Sequence, residues 1–241
     1  MTERLNPRRR GSYGIDAPFW GAVLAIMTAA NLVNAVIAGR VFLFLRVAFL
    51  LACTGSFFYS TLRGKFVVWA ELLDQLGLRG DERILDMGCG RGAVLLMAAQ
   101  HLTTGRAIGV DLWRTGDQSG NSADATRRNA LAEWVADRVE LHTADMMALP
   151  LEDNSFDLVV ASLAIHNIKG RAGRDKAIDE AVRVLRPGGR LMIADIWATR
   201  QYRVRLAGLG MNEITHRRLG WRLWWGGPWG ATRLVTATKP K

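Results

Sequence analysis

Seven residues, Asp86-Met87-Gly88-Cys89-Gly90-Arg91-Gly92, join an apolar run to a helical pattern. Alternate glycines let a backbone approach a ligand closely, and the helix that follows presents N–H groups to an anion. Taken alone the loop also fits a plain glycine turn, and Gly88-x-Gly90-x-x-Ala93 satisfies a permissive dinucleotide fingerprint. Two later acids narrow the chemistry. Asp111 closes the second apolar run, where a carboxylate can accept from both ribose hydroxyls, and Asp145 follows the third, able to accept from an adenine amino group. Each acid alone reads as a solvated strand end or a helix cap. Asp86, Asp111 and Asp145 at three successive strand ends share the edge where open parallel sheets bind ligands. His166, in Ser162-Leu163-Ala164-Ile165-His166-Asn167 beyond the fourth strand, is the candidate general base, against a lining or structural role. His101 and His142 read as structural.

The elements that must hold these residues alternate. Strands are expected at Arg83–Met87, Ala107–Asp111, Val139–Thr143, Phe156–Ser162 and Arg190–Asp195. Helices are expected at Val67–Leu78, Ala93–Leu102, Ala123–Val135 and Asp175–Leu185, the last stopped by a turn at Arg186-Pro187-Gly188-Gly189. This βα alternation implies a doubly wound, mostly parallel sheet. Glu213–Trp225 and Ala231–Thr238 read as a terminal antiparallel hairpin around a Gly/Pro/Trp turn. The polar connection Leu112–Asn129, with Trp113, Asp117, Gln118, Ser119 and Asn121, is either a cover for the ligand or a solvated loop.

ILDMGCGRG (84–92), GVD (109–111), TADMMALPLEDNSFDLVVAS (143–162) and EAVRVLRPGGRLMIAD (180–195), in that order, resemble the motifs of class I, seven-stranded S-adenosylmethionine-dependent methyltransferases. The resemblance covers about Val67 to Lys241 and implies S-adenosyl-L-methionine as cofactor. By resemblance, Gly88 and Gly90 line its methionine portion and Asp86 orients its amino group. Asp111 holds the ribose with Leu112 against the adenine, Asp145 and Met146 read the adenine edge, and Ser162 sits near the reacting methyl. A dinucleotide oxidoreductase gives no account of Asp145 followed by LPLEDNSFD. Family members that methylate amino groups of adenine or glutamine usually carry an Asn/Asp-Pro-Pro-aromatic tetrapeptide after this strand, where this chain has ASLAIHN.

The N-terminal quarter is different material. Residues 19–38 carry no charge and 41–62 only Arg46, each long enough as a helix to cross a hydrocarbon core of roughly 30 Å. Ala25, Ala29, Ala30 and Ala38 are expected to pack the two together, with Asn31 and Asn34 bonding between them. Of the net charge of +10, six units fall up to Lys65 and four beyond it. Arg8-Arg9-Arg10 before the first span and Arg63 and Lys65 after the second place both ends in the cytoplasm. The expectation is a membrane hairpin (1–65) followed by a methyltransferase domain (66–241). A signal peptide cleaved after Ala38 and a hairpin dipping into one leaflet are the rival readings. The Trp-rich WRLWWGGPW (221–229) reads as a lipid-interface or pocket element, or as hairpin core.

Together these imply a multi-pass enzyme of the cytoplasmic membrane whose partners are the bilayer and a small, apolar or lipid-like methyl acceptor. The alternative is a non-catalytic S-adenosylmethionine-binding membrane adaptor. The modest charge on the domain disfavours nucleic acid, and Cys53 and Cys89 suggest neither a disulfide framework nor a metal.

Overall fold

The computed structural model describes residues 9–241, so Glu3, Arg4 and Arg8 of the basic flank lie outside the described residues. Helix α1 (Pro18–Ala38) and helix α2 (Val41–Tyr59) form an antiparallel pair joined at Gly39. Without a break, α2 passes through one π-helical turn (Ser60–Gly64) into α3 (Lys65–Asp74), giving a 34-residue helical run. The boundary expected between residues 65 and 66 therefore falls inside a continuous helix. The π turn has a visible cause: a Cβ on Gly64 would stand 1.9 Å from the Arg222 carbonyl oxygen, so the C-terminal segment presses on the helix there.

The sheet then builds as β1 (Arg83–Met87), α4 (Ala93–Gln100), β2 (Arg106–Asp111), α5 (Ala123–Ala132), β3 (Val139–Thr143), β4 (Phe156–Ser162), α6 (Arg171–Val184), β5 (Leu185–Asp195), α7 (Thr199–Gly208), β6 (Asn212–Arg218) and β7 (Arg233–Thr238). Strand order is β3-β2-β1-β4-β5-β7-β6, parallel except for β7, which is antiparallel to β5 and β6. The expected seven-stranded architecture with its terminal hairpin is present. Ile84, Leu85, Val159, Val160 and Ile193 are fully buried, as strands covered on both faces require. Each such side chain contributes about 1.5–3 kcal/mol relative to exposure. Helices α3 and α4 cover one face, and α6 and α7 the other.

Several local expectations are corrected. Arg186–Gly189 is a bulge within β5 rather than a turn before it: the β4–β5 register jumps between Phe156 and Leu158, while Gly188 and Gly189 bond to Lys239. Helix α6 begins at Arg171, four residues early, and α7 was not foreseen. Strand β6 ends at Arg218, because a 3-10 turn takes over at Trp221–Leu223.

The α1–α2 seam is also not the one expected. Gly21, Thr28 and Ala35, seven residues apart, are buried, whereas Ala25, Ala29, Ala30 and Ala38 face outward. Gly21 admits the Phe57 ring, and the Thr28 and Thr54 hydroxyls lie 2.9 Å apart. Asn31 donates back to Met27 of its own helix, and Asn34 is exposed. The outer faces are apolar: Ile26, Val33, Ile37, Val41 and Leu45 are all more than half exposed. Only 17% of the most apolar window of α1, and 22% of that of the α2 run, is buried. A core helix of a soluble protein shows the reverse.

Candidate functional site

A cavity of about 500 Å³ opens at the carboxyl ends of β1, β2 and β4, within the range usual for small-ligand sites. Of the nine residues singled out from the sequence, eight line it: Asp86, Gly88, Gly90, Asp111, Leu112, Asp145, Met146 and Ser162. The ninth, His166, does not.

The glycine loop is shaped by close approach. Gly88 has φ +77°, and a Cβ there would stand 2.3 Å from that of Ala164; Gly90 has φ +52°, and a Cβ there would meet Gln118 Oε1 at 2.5 Å. The amides of this loop are not left open for an anion. Gly90 N–H donates to Asp111 Oδ2 at 2.8 Å, and Arg91 N–H donates to Gln118 Oε1 at 2.7 Å. A pyrophosphate would have to displace both and face Asp111. The electrostatics favour a cationic ligand instead.

Asp86 makes this explicit. Its carboxyl is buried, and among the described residues Oδ1 has no hydrogen-bond partner. Burial, reinforced by the Asp111 charge and opposed by a backbone hydrogen bond, pushes its pKa up to about 7. An orphaned buried acceptor in a cavity wall fits an ammonium donor. Asp111 also accepts from the Trp113 amide (2.6 Å) and from Asn121 Nδ2 (3.2 Å). Asp145 Oδ1 accepts from the Met147 amide at 2.8 Å. The polar connection after β2 does cover the site, since Arg114, Asp117, Gln118 and Asn121 stand in its wall.

Three contributors escaped the sequence reading. Asp16 and Lys65, at the two ends of the membrane-like hairpin, pair at 2.6 Å and both line the cavity. Asp16 further accepts from Thr61 Oγ1 (2.8 Å) and Gln118 Nε2 (2.9 Å). Residues 10–17 are sewn onto the domain: Asn129 brackets Ser12, Glu133 accepts from the Tyr13 hydroxyl, and Ile15 exchanges bonds with Ser119. Trp69 of α3 is the third, its indole N–H donating to Ser162 Oγ at 2.9 Å. A flanking charge and a core-facing tryptophan carry no local pattern that marks them as site residues.

His166 sits beside the cavity, in the loop that also supplies Asn167 and Ile168 to the wall. Its ring stacks on Trp197 with centroids 5.9 Å apart. Nδ1 lies 2.5 Å from Asp195 Oδ1, off the line of a good hydrogen bond. Asp195 is fully buried and also takes the His166 amide and the Tyr202 hydroxyl, each at 3.1 Å. Leu163, in the wall just after β4, holds φ +55°, a strained value for a branched residue that the fold maintains at this edge.

Residues 85–193 match the family model described as "Methyltransferase domain". The ubiquinone/menaquinone biosynthesis C-methyltransferase UbiE of Roseobacter denitrificans is 35% identical over 129 residues, covering 53% of this chain and 48% of that protein. The chain thus spans about half the length of the known relatives it matches. Among solved structures, the geranyl diphosphate C-methyltransferase of Streptomyces coelicolor A3(2), bound to Mg2+, geranyl diphosphate and S-adenosyl-L-homocysteine, superposes with TM-score 0.56 at 20% identity. That match covers 70% of this chain and 78% of that one. The [4+2]-cyclase SpnF superposes with TM-score 0.57 at 22% identity, covering 71% and 80%. The fold is the Rossmann-like methyltransferase fold, and residues 85–193 are the part of the chain that matches the methyltransferase-domain model.

Proposed function

We propose that this protein is a membrane-anchored methyltransferase that moves the methyl of S-adenosylmethionine to a small, apolar or lipid-like acceptor at the cytoplasmic face of a bilayer. One observation carries the reading: the acid-lined cavity is walled in part by Asp16 and Lys65, the two residues that clamp the base of an exposed apolar hairpin. An acceptor dissolved in the membrane therefore meets the site where the hairpin enters the domain. Similarity to UbiE and to a geranyl diphosphate C-methyltransferase, both named for C-methyl transfer, supports an acceptor of that kind. A signal peptide cleaved after Ala38 is disfavoured, because cleavage would take away the cavity residue Asp16.

In this reading Asp86 receives the ammonium of the cofactor, Asp111 the ribose hydroxyls, and Asp145 with Met146 the adenine, with Leu112 against its face. When bound, the sulfonium supplies an electrophilic methyl. The protein's part is alignment, which can be worth roughly 7–11 kcal/mol without covalent help. Gly88 and Ser162 bound the space beside the methyl, and Trp69 fixes the Ser162 hydroxyl. For an acceptor that must lose a proton, His166 Nε2 is the ring nitrogen turned away from Asp195, with Asp195 and Tyr202 as positioning residues.

A second reading, a non-catalytic S-adenosylmethionine-binding membrane adaptor, draws on His166 lying outside the cavity wall and on a cyclase sharing the fold. Transfer of labelled methyl from S-adenosylmethionine into membrane extract separates the two. Truncation of residues 1–65 is a poor test of anchoring, since it removes Asp16 and Lys65 from the cavity. Ile26→Arg/Val33→Arg alters only exposed positions and leaves the Gly21–Thr28–Ala35 seam intact. The variant is expected to leave the membrane fraction, keep cofactor affinity within about twofold, and lose roughly tenfold activity on membrane extract. A released variant that methylates the extract as well as the parent overturns the anchored-acceptor reading.

A further inference from the structure

On the opposite side of the same sheet edge lies a second cleft, of about 490 Å³, lined by Arg200, Arg203, His216, Arg217, Arg218 and Arg233. Five arginines, from α7, β6 and β7, line it. Among the described residues none of the five has a carboxylate within 4.0 Å, whereas Arg205, on the same helix, is paired with Asp179 at 2.6 Å. Such a grouping is costly in a free protein, because like charges repel with nothing to offset them.

Arg200 worsens that cost. It occupies the first turn of α7, the positive end of the helix dipole, where a basic residue is disfavoured. That turn contains no acid and has no side-chain cap, so its amides add to the positive field. Thr199, the first helical residue, bonds His216 across the cleft at 3.0 Å. Burial first, and then Arg203, Arg233 and Arg200, hold the His216 imidazole below its ordinary value. A fold that gathers these groups at its own expense recovers the cost when a multivalent oxyanion binds.

The cleft's location selects among anions. Asp195, the last residue of β5, pairs with Arg233, which pairs with Arg218, so the arginines stand at the carboxyl edge of the sheet. The chain between Arg218 and Arg233 is the Trp-rich segment, and it packs on the base of the hairpin. Trp221 stacks on Tyr59 (5.2 Å), Trp225 meets Phe57 edge-on (5.7 Å), and Trp229 approaches Phe49 (6.0 Å). Trp221 and Trp229 are nonetheless 59% and 67% exposed. The indoles thus pack on the apolar helix, and Arg218 and Arg233 flank them in the chain, a combination that matches the hydrocarbon, interfacial and headgroup chemistry of a bilayer.

We infer that the arginine cleft binds the phosphate of an anionic phospholipid headgroup and so presses the carboxyl edge of the sheet against the membrane. The inference rests on the membrane reading of the hairpin and adds to it a headgroup site that orients the domain.

The test uses the full chain in nanodiscs of phosphatidylcholine alone or with phosphatidylglycerol, and follows amide hydrogen exchange at residues 197–204 and 214–218. Exchange there is expected to slow severalfold in the phosphatidylglycerol discs only, and the effect should fade with added salt. Arg203→Gln and Arg217→Gln, exposed and outside the cofactor cavity, are each expected to raise the phosphatidylglycerol needed by about fivefold. Inorganic pyrophosphate added to phosphatidylcholine discs forms the other arm. Equal or greater slowing by pyrophosphate, with none from phosphatidylglycerol, overturns the lipid assignment in favour of a soluble phosphoanion. No slowing by either anion overturns the site altogether, while leaving the hairpin reading untouched. Failure of the chain to enter phosphatidylcholine discs sinks the hairpin reading, and the headgroup assignment with it.

Discussion

One sheet edge carries two clefts of opposite sign. Around the glycine loop the wall holds Asp16, Asp86, Asp111, Asp117 and Asp145 against Lys65, Arg114 and Lys169, and the loop amides at Gly90 and Arg91 are already taken by the chain's own acceptors. Around α7 and β6 the wall is arginine and histidine, with guanidinium groups that no carboxylate pairs among the described residues and a helix start without a side-chain cap. A parallel sheet supplies strand ends and helix N-termini at this edge but does not fix their sign. The sign comes from which backbone donors the side chains leave free. The first cleft is thereby suited to a cation with hydroxyl and amino groups, the second to an oxyanion.

The largest expected effect breaks the acidic half. Asp111 accepts from the Gly90 and Trp113 amides and from Asn121, so Asp111→Ala removes a ligand acceptor, orphans two backbone donors and leaves Asn121 Nδ2 only the Arg114 carbonyl. Cofactor affinity, measured by calorimetry, is expected to fall at least about 100-fold. Asp86→Asn comes next, at roughly 50-fold by the same measurement, and it carries a pH signature. The folded-state pKa of Asp86 is raised to about 7 from an ordinary 3.8. Stability from this group is therefore complete below about pH 4 and is lost as pH rises towards 7 and past it. Asp86→Asn should raise the melting temperature of the ligand-free protein at pH 8 and leave it little changed at pH 5. Cofactor affinity of the parent should drop about fivefold from pH 7 to pH 6, while that of the variant stays flat. A parallel pH dependence in both proteins would falsify the assignment of that proton to Asp86.

How much of this was legible in the sequence follows from the range of each interaction. The strands and the eight lining residues declare themselves locally, through apolar runs ending in Gly or Asp, and the eight residues line one cavity. The boundary at residue 65, the hairpin seam and α7 do not. Lys65 reads as a cytoplasmic flank because its partner, Asp16, lies 49 residues away, beyond both apolar helices. The alanines of α1 suit a seam by composition, but the phase of the helix is set by Phe57 fitting against Gly21. Arg218 and Arg233, 15 residues apart, carry no local pattern that joins them; the β6–β7 pairing sets them side by side, and α7 adds Arg200 and Arg203.

The Asp16–Lys65 pair tests whether the acidic cleft depends on the hairpin. Lys65→Met keeps the aliphatic stem and leaves Asp16 without its cation, although Thr61 and Gln118 still donate to it. Asp16 retains partial exposure, so the expected loss is about 2 kcal/mol rather than the full cost of a sealed charge. Lys65→Met/Asp16→Asn should recover most of that stability in chemical denaturation. Recovery of stability without recovery of cofactor affinity would show that the pair shapes the cavity as well as the fold.

The smallest expected effect distinguishes alignment from binding within the acidic cleft. Trp69 is buried and holds the Ser162 hydroxyl by a single bond from its indole nitrogen. Trp69→Phe keeps an aromatic ring in place and deletes the donor, at a stability cost of about 1 kcal/mol for the bond plus a smaller packing term. Ser162 lies beside the proposed methyl position rather than along the ribose or adenine, so cofactor affinity should be unchanged while kcat falls about fivefold. Ser162→Ala in the Trp69→Phe background should then lower kcat no further, because the hydroxyl has already lost its orientation. Arg217→Gln, on the other side of the sheet, should leave kcat on a water-soluble acceptor where it was. If Trp69→Phe instead weakens cofactor binding and leaves kcat intact, Ser162 belongs to the binding surface and the transferring methyl lies elsewhere in the cavity.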